Sequence, residues 1–268
     1  MHEFTIESPN PIFSLRPAPN QQQQRNFIQP HSQQRTKNMN SDSSLIVHHL
    51  ENSRSQRIVW LLEELNVPFT VKVYKRTDQQ LAPPELKAIH PLGKSPVITD
   101  GDLVVAESGT IIEYLLETYG NGRFQPPSTK EARLRNSYYT QYAEGSLMPL
   151  IVDNLLFNLI STKVPWPLRL IVRPIMEAIN NNFIVPNIVT AADMIEKDIA
   201  KSNSGWIAGG PEPTSGDFMM FFALERLPSA IGADKVGSRT KAWLRLIQER
   251  PAYKRALRRV GRDADVKH

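Results

Sequence analysis

The feature that most constrains this chain is the run Gly93-Lys94-Ser95-Pro96-Val97, followed by Glu107-Ser108-Gly109-Thr110 at the head of an apolar helical stretch. A proline between a Gly-Lys turn and a β-branched pair predicts a strand entered through a fixed peptide bond, for which the cis form is open to proline. Such a bond turns backbone outward, so that Ser95 shows its N–H and C=O to a ligand. Glu107 and Ser108 add a carboxylate and a hydroxyl beside the N-terminus of the next helix. That combination is a receptor for something peptide-like and zwitterionic.

The elements around it read as two different kinds of region. Leu45-Ile46-Val47-His48-His49-Leu50 is a short β-rich run, and after a polar break Ile58-Val59-Trp60-Leu61-Leu62 lies within a helical stretch that Asn52 or Ser53 can cap. Val67 to Tyr74 alternates as a second strand. A short helical piece spans Pro84 to Ile89. Asp100-Gly101 between the apolar runs 96–98 and 103–105 signals a hairpin, and a helix from Glu107 to Tyr119 puts Ile111, Ile112, Leu115 and Leu116 on one face. Gly120 to Thr129 reads as a linker, after which every long segment is helical. These helices begin near Lys130, continue through Leu147 to Leu159, and resume at Pro174 and near Asn187. Pro213-Thr214-Ser215-Gly216-Asp217 carries a capping box with aspartate in place of glutamate. The fold class expected is therefore α/β plus all-α, with domains at 44–122 and 130–262 joined by 123–129.

Residues 1–43 are rich in Gln, Asn, Ser and Pro, with few aliphatics, and are expected to be disordered. Met39 is an alternative start that would remove most of this segment. The chain has no cysteine, which excludes a disulfide framework, a thiolate metal site and an enzyme-borne thiol nucleophile. A formal charge of +5 favours anionic partners. Its densest cluster, Lys254, Arg255, Arg258, Arg259 and Arg262, reads as a solvated final helix rather than a nucleic-acid face, because only Tyr253 among aromatics accompanies it. His48 and His49 are adjacent on a strand and point to opposite faces, which opposes one shared metal ion. No uncharged apolar run approaches the roughly 18 residues of a membrane-spanning helix. Val164 to Ile175 mixes Trp166 and leucines with Arg169 and Arg173, which reads as a buried helical connection, with peripheral membrane contact as the alternative.

Together with Asn52-Ser53-Arg54-Ser55-Gln56-Arg57, the order of Ser95-Pro96 and Glu107-Ser108 resembles the soluble, cytosolic-type glutathione transferases of the fungal and bacterial branch. The resemblance covers roughly residues 44 to 255. It implies a thioredoxin-like N-terminal domain of βαβ-ββα order, an all-helical C-terminal domain, and glutathione as co-substrate with no cofactor. It further implies that Lys94, Ser95, Pro96, Glu107 and Ser108 bind glutathione. Ser95 would pair with the cysteinyl main chain, Glu107 and Ser108 with the γ-glutamyl end, and Lys94 with a carboxylate.

A free thiol of pKa near 8.5 is only about 3% thiolate at pH 7, and lowering it by roughly two units requires about 2.7 kcal/mol of preference for the anion. A hydroxyl or amide at a helix N-terminus can supply part of this. The resemblance places the catalytic donor in the turn before the first helix, at Asn52 or Ser53, with Ser55 as a third position. The thiolate would attack an apolar electrophile held near Tyr138, Tyr142, Met148 and Phe157, or a hydroperoxide as a secondary activity. A homodimer and a cytoplasmic location are expected, with the endoplasmic reticulum surface as the alternative. The rival from another class is a non-catalytic regulatory protein of the same fold with an aggregation-prone Gln/Asn-rich tail.

Overall fold

The computed structural model describes residues 44–262, so the segment 1–43 and residues 263–268 lie outside the described residues. Strand β1 (Leu45–Leu50) is central, because the chain leaves it through helix α1 (Gln56–Leu65) and returns in β2 (Thr70–Tyr74), parallel to it. After the short helix α2 (Glu85–Ile89), β3 (Val97–Asp100) pairs antiparallel with β1, and β4 (Leu103–Ala106) pairs antiparallel with β3. The order is β2-β1-β3-β4, and α3 (Ser108–Tyr119) follows. The turn at Gly101 uses a positive φ of 59°. Strand β2 begins later than its hydrophobic alternation predicts, with Ile46 opposite Thr70 as the first pair. Pro68 has no N–H to give to the ladder.

Period-two alternation divides β1 between two apolar clusters. Leu45 and Val47 enter the main core, whereas Leu50 joins Tyr74 and Leu86 in a small second cluster. The adjacent histidines follow the same rule. His48 Nδ1 lies 2.9 Å from Tyr74 Oη, while His49 Nδ1 lies 2.7 Å from Ser55 Oγ, ahead of α1.

Among the described residues, everything regular after Tyr119 is helical. Thr129 Oγ1 accepts the Ala132 N–H at 3.2 Å and starts α4 (Lys130–Tyr142). A π-helical segment, Ala143–Leu147, carries it into α5 (Met148–Lys163), so that one helix of 34 residues results. That helix is long and apolar enough to cross a membrane by length and composition, although Asp153 keeps it from holding a long uncharged run. Its buried face packs Leu147, Met148 and Ile151 into the main core. Helix α6 (Arg169–Ile179), a second π segment (Asn180–Ile184) and α7 (Val185–Ala200) follow. Pro174 therefore lies inside a helix rather than at its start. The remaining helices are α8 (Ser215–Leu224), α9 (Leu227–Ile231), α10 (Ser238–Gln248) and α11 (Pro251–Arg259).

Two expectations change. The hairpin between α5 and α6 is not a buried connection, since Trp166 is 78% exposed and Leu170 68%. Only one side of α6 packs, through the half-buried Val172, Met176 and Ile179, while Leu170, Ile171 and Ile175 face outward. The C-terminal basic cluster is not simply solvated either. Arg255 and Arg259 both bind the buried Glu63 of α1, and Arg262 Nη1 donates to Gln56 Oε1 at 2.7 Å.

Helix α8 is the buried axle of the helical region. Its predicted capping residue Asp217 accepts the Thr214 N–H at 3.0 Å and also ties in the Ile207 N–H at 2.8 Å and Trp243 Nε1–H at 3.1 Å. Trp60 of α1 packs on this axle, with ring centroids 4.5 Å from Phe218 and 5.4 Å from Phe221. Helix α1 is thus held between the sheet and the helices, and the turn at its head inherits that rigidity.

Candidate functional site

The turn between β1 and α1 treats its two candidate donors differently. Asn52 adopts left-handed backbone, φ 51°, and is exposed. Ser53 is only 7% exposed. Neither occupies the N-cap of α1, as the sequence suggested one would, because Ser55 sits there and makes no side-chain cap bond. The reason is that carbonyls of the turn already take the first helical donors. Gln56 N–H reaches Ser53 O at 3.4 Å, Arg57 N–H reaches Arg54 O at 3.2 Å, and Ile58 N–H reaches Ser55 O at 3.0 Å. The serine hydroxyls are left for other partners, and Ser53 Oγ accepts the Ser55 N–H at 3.4 Å. Ser53 Oγ lies 2.7 Å from Ser55 Oγ and donates to Ser95 Oγ at 3.3 Å.

Ser95 is fastened to the same end of β1. Its hydroxyl donates to His48 O at 2.8 Å and accepts the Leu50 N–H at 3.1 Å. The Ser95-Pro96 bond is cis. Just upstream, Gly93 needs its positive φ of 57° and its missing Cβ, which would lie 2.6 Å from Lys87 Cγ. Lys94 stands exposed beside this turn.

At the head of α3, Glu107 holds a φ of 71° with ψ 127°, a conformation costly for a residue with a Cβ. Its side chain does not cap the helix, and Ser108 behind it is buried. The first intrahelical bond runs from Ile111 N–H to Glu107 O at 2.9 Å, so the N–H groups of the first turn point out of the helix toward whatever lies in front.

A cavity of about 250 Å³ brings these pieces together, with Lys94, Ser95, Pro96, Glu107 and Ser108 in its lining. Five of the seven residues singled out in the sequence share this groove. Asn52 and Ser53 do not line it; Ser53 stands behind Ser95, in hydrogen-bond contact with it. A lining that holds both cations, Lys94 and Arg54, and carboxylates, Glu107 and Glu144, suits a zwitterion.

Sequence reasoning missed Glu144 and left Arg54 and Arg57 without a role. Arg54 Nε donates to both Glu144 oxygens, at 2.9 and 2.8 Å, and Arg57 Nη1 to Oε1 at 2.5 Å. Arg54 and Glu144 also line the groove. Burial lowers the Arg57 pKa to about 10, although Glu144 opposes the shift. Glu144 projects from the π-helical segment Ala143–Leu147 and lines both the groove and a neighbouring cavity of about 830 Å³. No local signal could have revealed it, because its partners lie far upstream in the chain. Tyr138, Tyr142, Met148 and Phe157, grouped in the sequence as a possible electrophile pocket, line neither cavity. Met148 is core, and Tyr138 stacks on Tyr142 at 5.3 Å.

Comparison with known proteins agrees with this geometry. Residues 44–117 match the family model described as the glutathione S-transferase N-terminal domain. The chain is 34% identical over 217 residues to glutathione S-transferase 3 of Schizosaccharomyces pombe, covering 81% of this chain and 88% of that one. It is 30% identical over 215 residues to glutathione S-transferase 1 of Saccharomyces cerevisiae, covering 77% and 91% respectively. A solved glutathione S-transferase from Actinobacillus pleuropneumoniae superposes with a TM-score of 0.64 at 30% identity, over 81% of this chain and 93% of that structure. A theta class enzyme from Xanthomonas axonopodis, solved with glutathione bound, shares the fold with a TM-score of 0.60 at 19% identity, over 80% and 97%. With a thioredoxin-like sheet region, a helical C-terminal region and relatives of this identity along most of its length, the chain belongs to the glutathione S-transferase family, of the fungal type, and is a glutathione transferase.

Proposed function

We propose that this transferase binds glutathione in the groove between Ser95 and Ser108 and that Ser53 stabilises its thiolate. The observation that carries the reading is the meeting of three separate segments: the β1–α1 turn, the Lys94-Ser95-Pro96 turn and the head of α3. Ser95 backbone pairs with the cysteinyl main chain. Glu107 receives the γ-glutamyl ammonium, and Ser108 with the first N–H groups of α3 receives its carboxylate. Lys94 meets the glycyl carboxylate. Ser53 is favoured over Asn52 because it is buried and touches Ser95, whereas Asn52 is turned out to solvent. A single donor hydrogen bond to an anion, worth about 1.5–3 kcal/mol, is of the size needed to hold the thiolate at neutral pH.

The division at 44–122, 123–129 and 130–262 into a glutathione-binding part, a linker and a helical part belongs to this proposal. So do a homodimer, a cytosolic location, an apolar electrophile and reduction of organic hydroperoxides by the same thiolate. These rest on the family.

The test is glutathione conjugation of an aryl halide, with glutathione affinity measured in parallel, for wild type, Asn52→Ala and Ser53→Ala. Ser53→Ala should lower kcat/KM at neutral pH by about 30- to 100-fold with affinity for glutathione changed less than about fivefold. Asn52→Ala should stay within about threefold. A larger loss in Asn52→Ala than in Ser53→Ala would overturn the assignment.

A further inference from the structure

Four hydrogen bonds link His49, Ser55, Ser53, Ser95 and the His48 carbonyl in one continuous chain. His49 Nδ1 to Ser55 Oγ is 2.7 Å, Ser55 Oγ to Ser53 Oγ 2.7 Å, Ser53 Oγ to Ser95 Oγ 3.3 Å, and Ser95 Oγ to His48 O 2.8 Å. Each hydroxyl has one proton to give. A carbonyl can only accept, so the Ser95 proton goes to His48 O. Ser53 must then donate to Ser95, Ser55 must donate to Ser53, and His49 must donate from Nδ1 to Ser55.

The opposite tautomer reverses the outcome. With its proton on Nε2, His49 would accept at Nδ1, Ser55 would donate to it, and Ser53 would donate to Ser55. Ser53 would then have no proton for a sulfur. The location of one hydrogen on a buried histidine therefore decides whether Ser53, in contact with the groove's Ser95, can act as a donor.

We infer that His49 is a positioning residue for the transferase reaction: acting through Ser55, its Nδ1–H keeps the Ser53 hydroxyl accepting from behind and free to donate to the glutathione thiolate in front. The inference rests on the proposed role of Ser53. The bond that Ser53 gives up to reach sulfur is the longest in the chain, 3.3 Å, while the two 2.7 Å bonds behind it persist. Burial keeps His49 neutral at assay pH by pushing its pKa down to about 4, so it holds one ring proton whose position the chain dictates. His49 never contacts the substrate and transfers no proton in the reaction.

The experiment titrates the thiol of bound glutathione by its thiolate ultraviolet absorbance in wild type, Ser53→Ala, Ser55→Ala, His49→Leu and His49→Asn. The asparagine amide nitrogen stands at the same distance from Cβ as Nδ1 and can donate to Ser55. Ser55→Ala and His49→Leu should raise the bound-thiol pKa by about 0.5–1 unit and lower kcat/KM at neutral pH about three- to tenfold. His49→Asn should recover most of both. If His49→Leu does not fold, Ser55→Ala and His49→Asn still carry the test. A wild-type titration in Ser55→Ala overturns the inference, as does a His49→Asn protein that folds and binds glutathione yet titrates like Ser55→Ala. A wild-type titration in Ser53→Ala is a different failure, since it removes the Ser53 reading itself and the inference with it.

Discussion

Helices α1 and α6 have nearly the same length, 10 and 11 residues, and opposite fates. Every residue of α1 is buried, including Gln56, Arg57, Glu63 and Glu64, whereas no residue of α6 is. Apolar content does not explain this, since α6 carries leucine, isoleucines, valine and methionine. The difference is in the number of neighbours. Helix α1 is covered by the sheet, α3, α8 and α11 and meets partners on every side, so even its charges are matched: Gln56 with Tyr253, Arg57 with Glu144, Glu63 with Arg255 and Arg259, Glu64 with Trp60 and Arg250. On α6 the ion pair is local, Arg173 with Glu177 four residues on. The proposed glutathione site lies at the head of the helix that has partners on every side.

The largest break in that comparison is Trp60→Ala. The side chain is fully buried and meets Phe218 at a tilt and Phe221 and Tyr253 edge-on, besides donating Nε1–H to Glu64 at 2.9 Å. Truncation leaves a cavity at the junction of the sheet region and helices and is expected to cost about 3–5 kcal/mol, read from urea unfolding. A loss below about 1 kcal/mol would mean that α1 is not the centre of the fold.

A smaller effect sharpens the same contrast through pH. Burial, aided by Arg262 and opposed by Glu51, holds His49 at a pKa of about 4, against 6.5 for the free side chain. Between these values the unfolded chain binds a proton that the native state does not, so stability rises with pH and is lost as pH falls from about 6.5 toward 4. The loss is on the order of 3 kcal/mol at most. His48 is also lowered, by burial and then by Lys72, and adds to the same trend. His49→Asn should flatten the acid limb relative to wild type. An unchanged limb would show that His49 protonates equally readily in the native and unfolded chains.

Much of this was legible in the chain because the decisive signals are local. Alternation in 45–50, Asp100-Gly101, Ser95-Pro96 and the apolar face of α3 each express a backbone preference within a few residues, and five of the residues they single out share one groove. What was not legible depends on partners distant in sequence. Arg57 looks like a solvated cation until Glu144 arrives on a π-helical turn, and Arg255 and Arg259 look like a basic surface until Glu63 meets them. Ser55 reads only as a third candidate donor, because nothing in the turn marks its hydroxyl as the partner of His49. The exposure of α6 was misjudged for the converse reason: an apolar helical pattern announces a face to be covered, but not whether the same chain covers it.

That last point can be tested directly with the double substitution Leu170→Ser and Ile171→Ser. These side chains are 68% and 65% exposed, so serine removes little area already withdrawn from water. Leucine and isoleucine burial is worth about 1.5–3 kcal/mol each when complete, and with about a third of each covered and serine a poorer helix former the net change should stay within about 1 kcal/mol. Measured by the urea midpoint at low protein concentration, a shift of that size would leave α6 as the uncovered counterpart of α1. A loss of 3 kcal/mol or more, shrinking as the protein is diluted, would instead show that a second chain supplies the cover that α1 receives from its own fold. The comparison would then be between a helix covered within one chain and a helix covered between two.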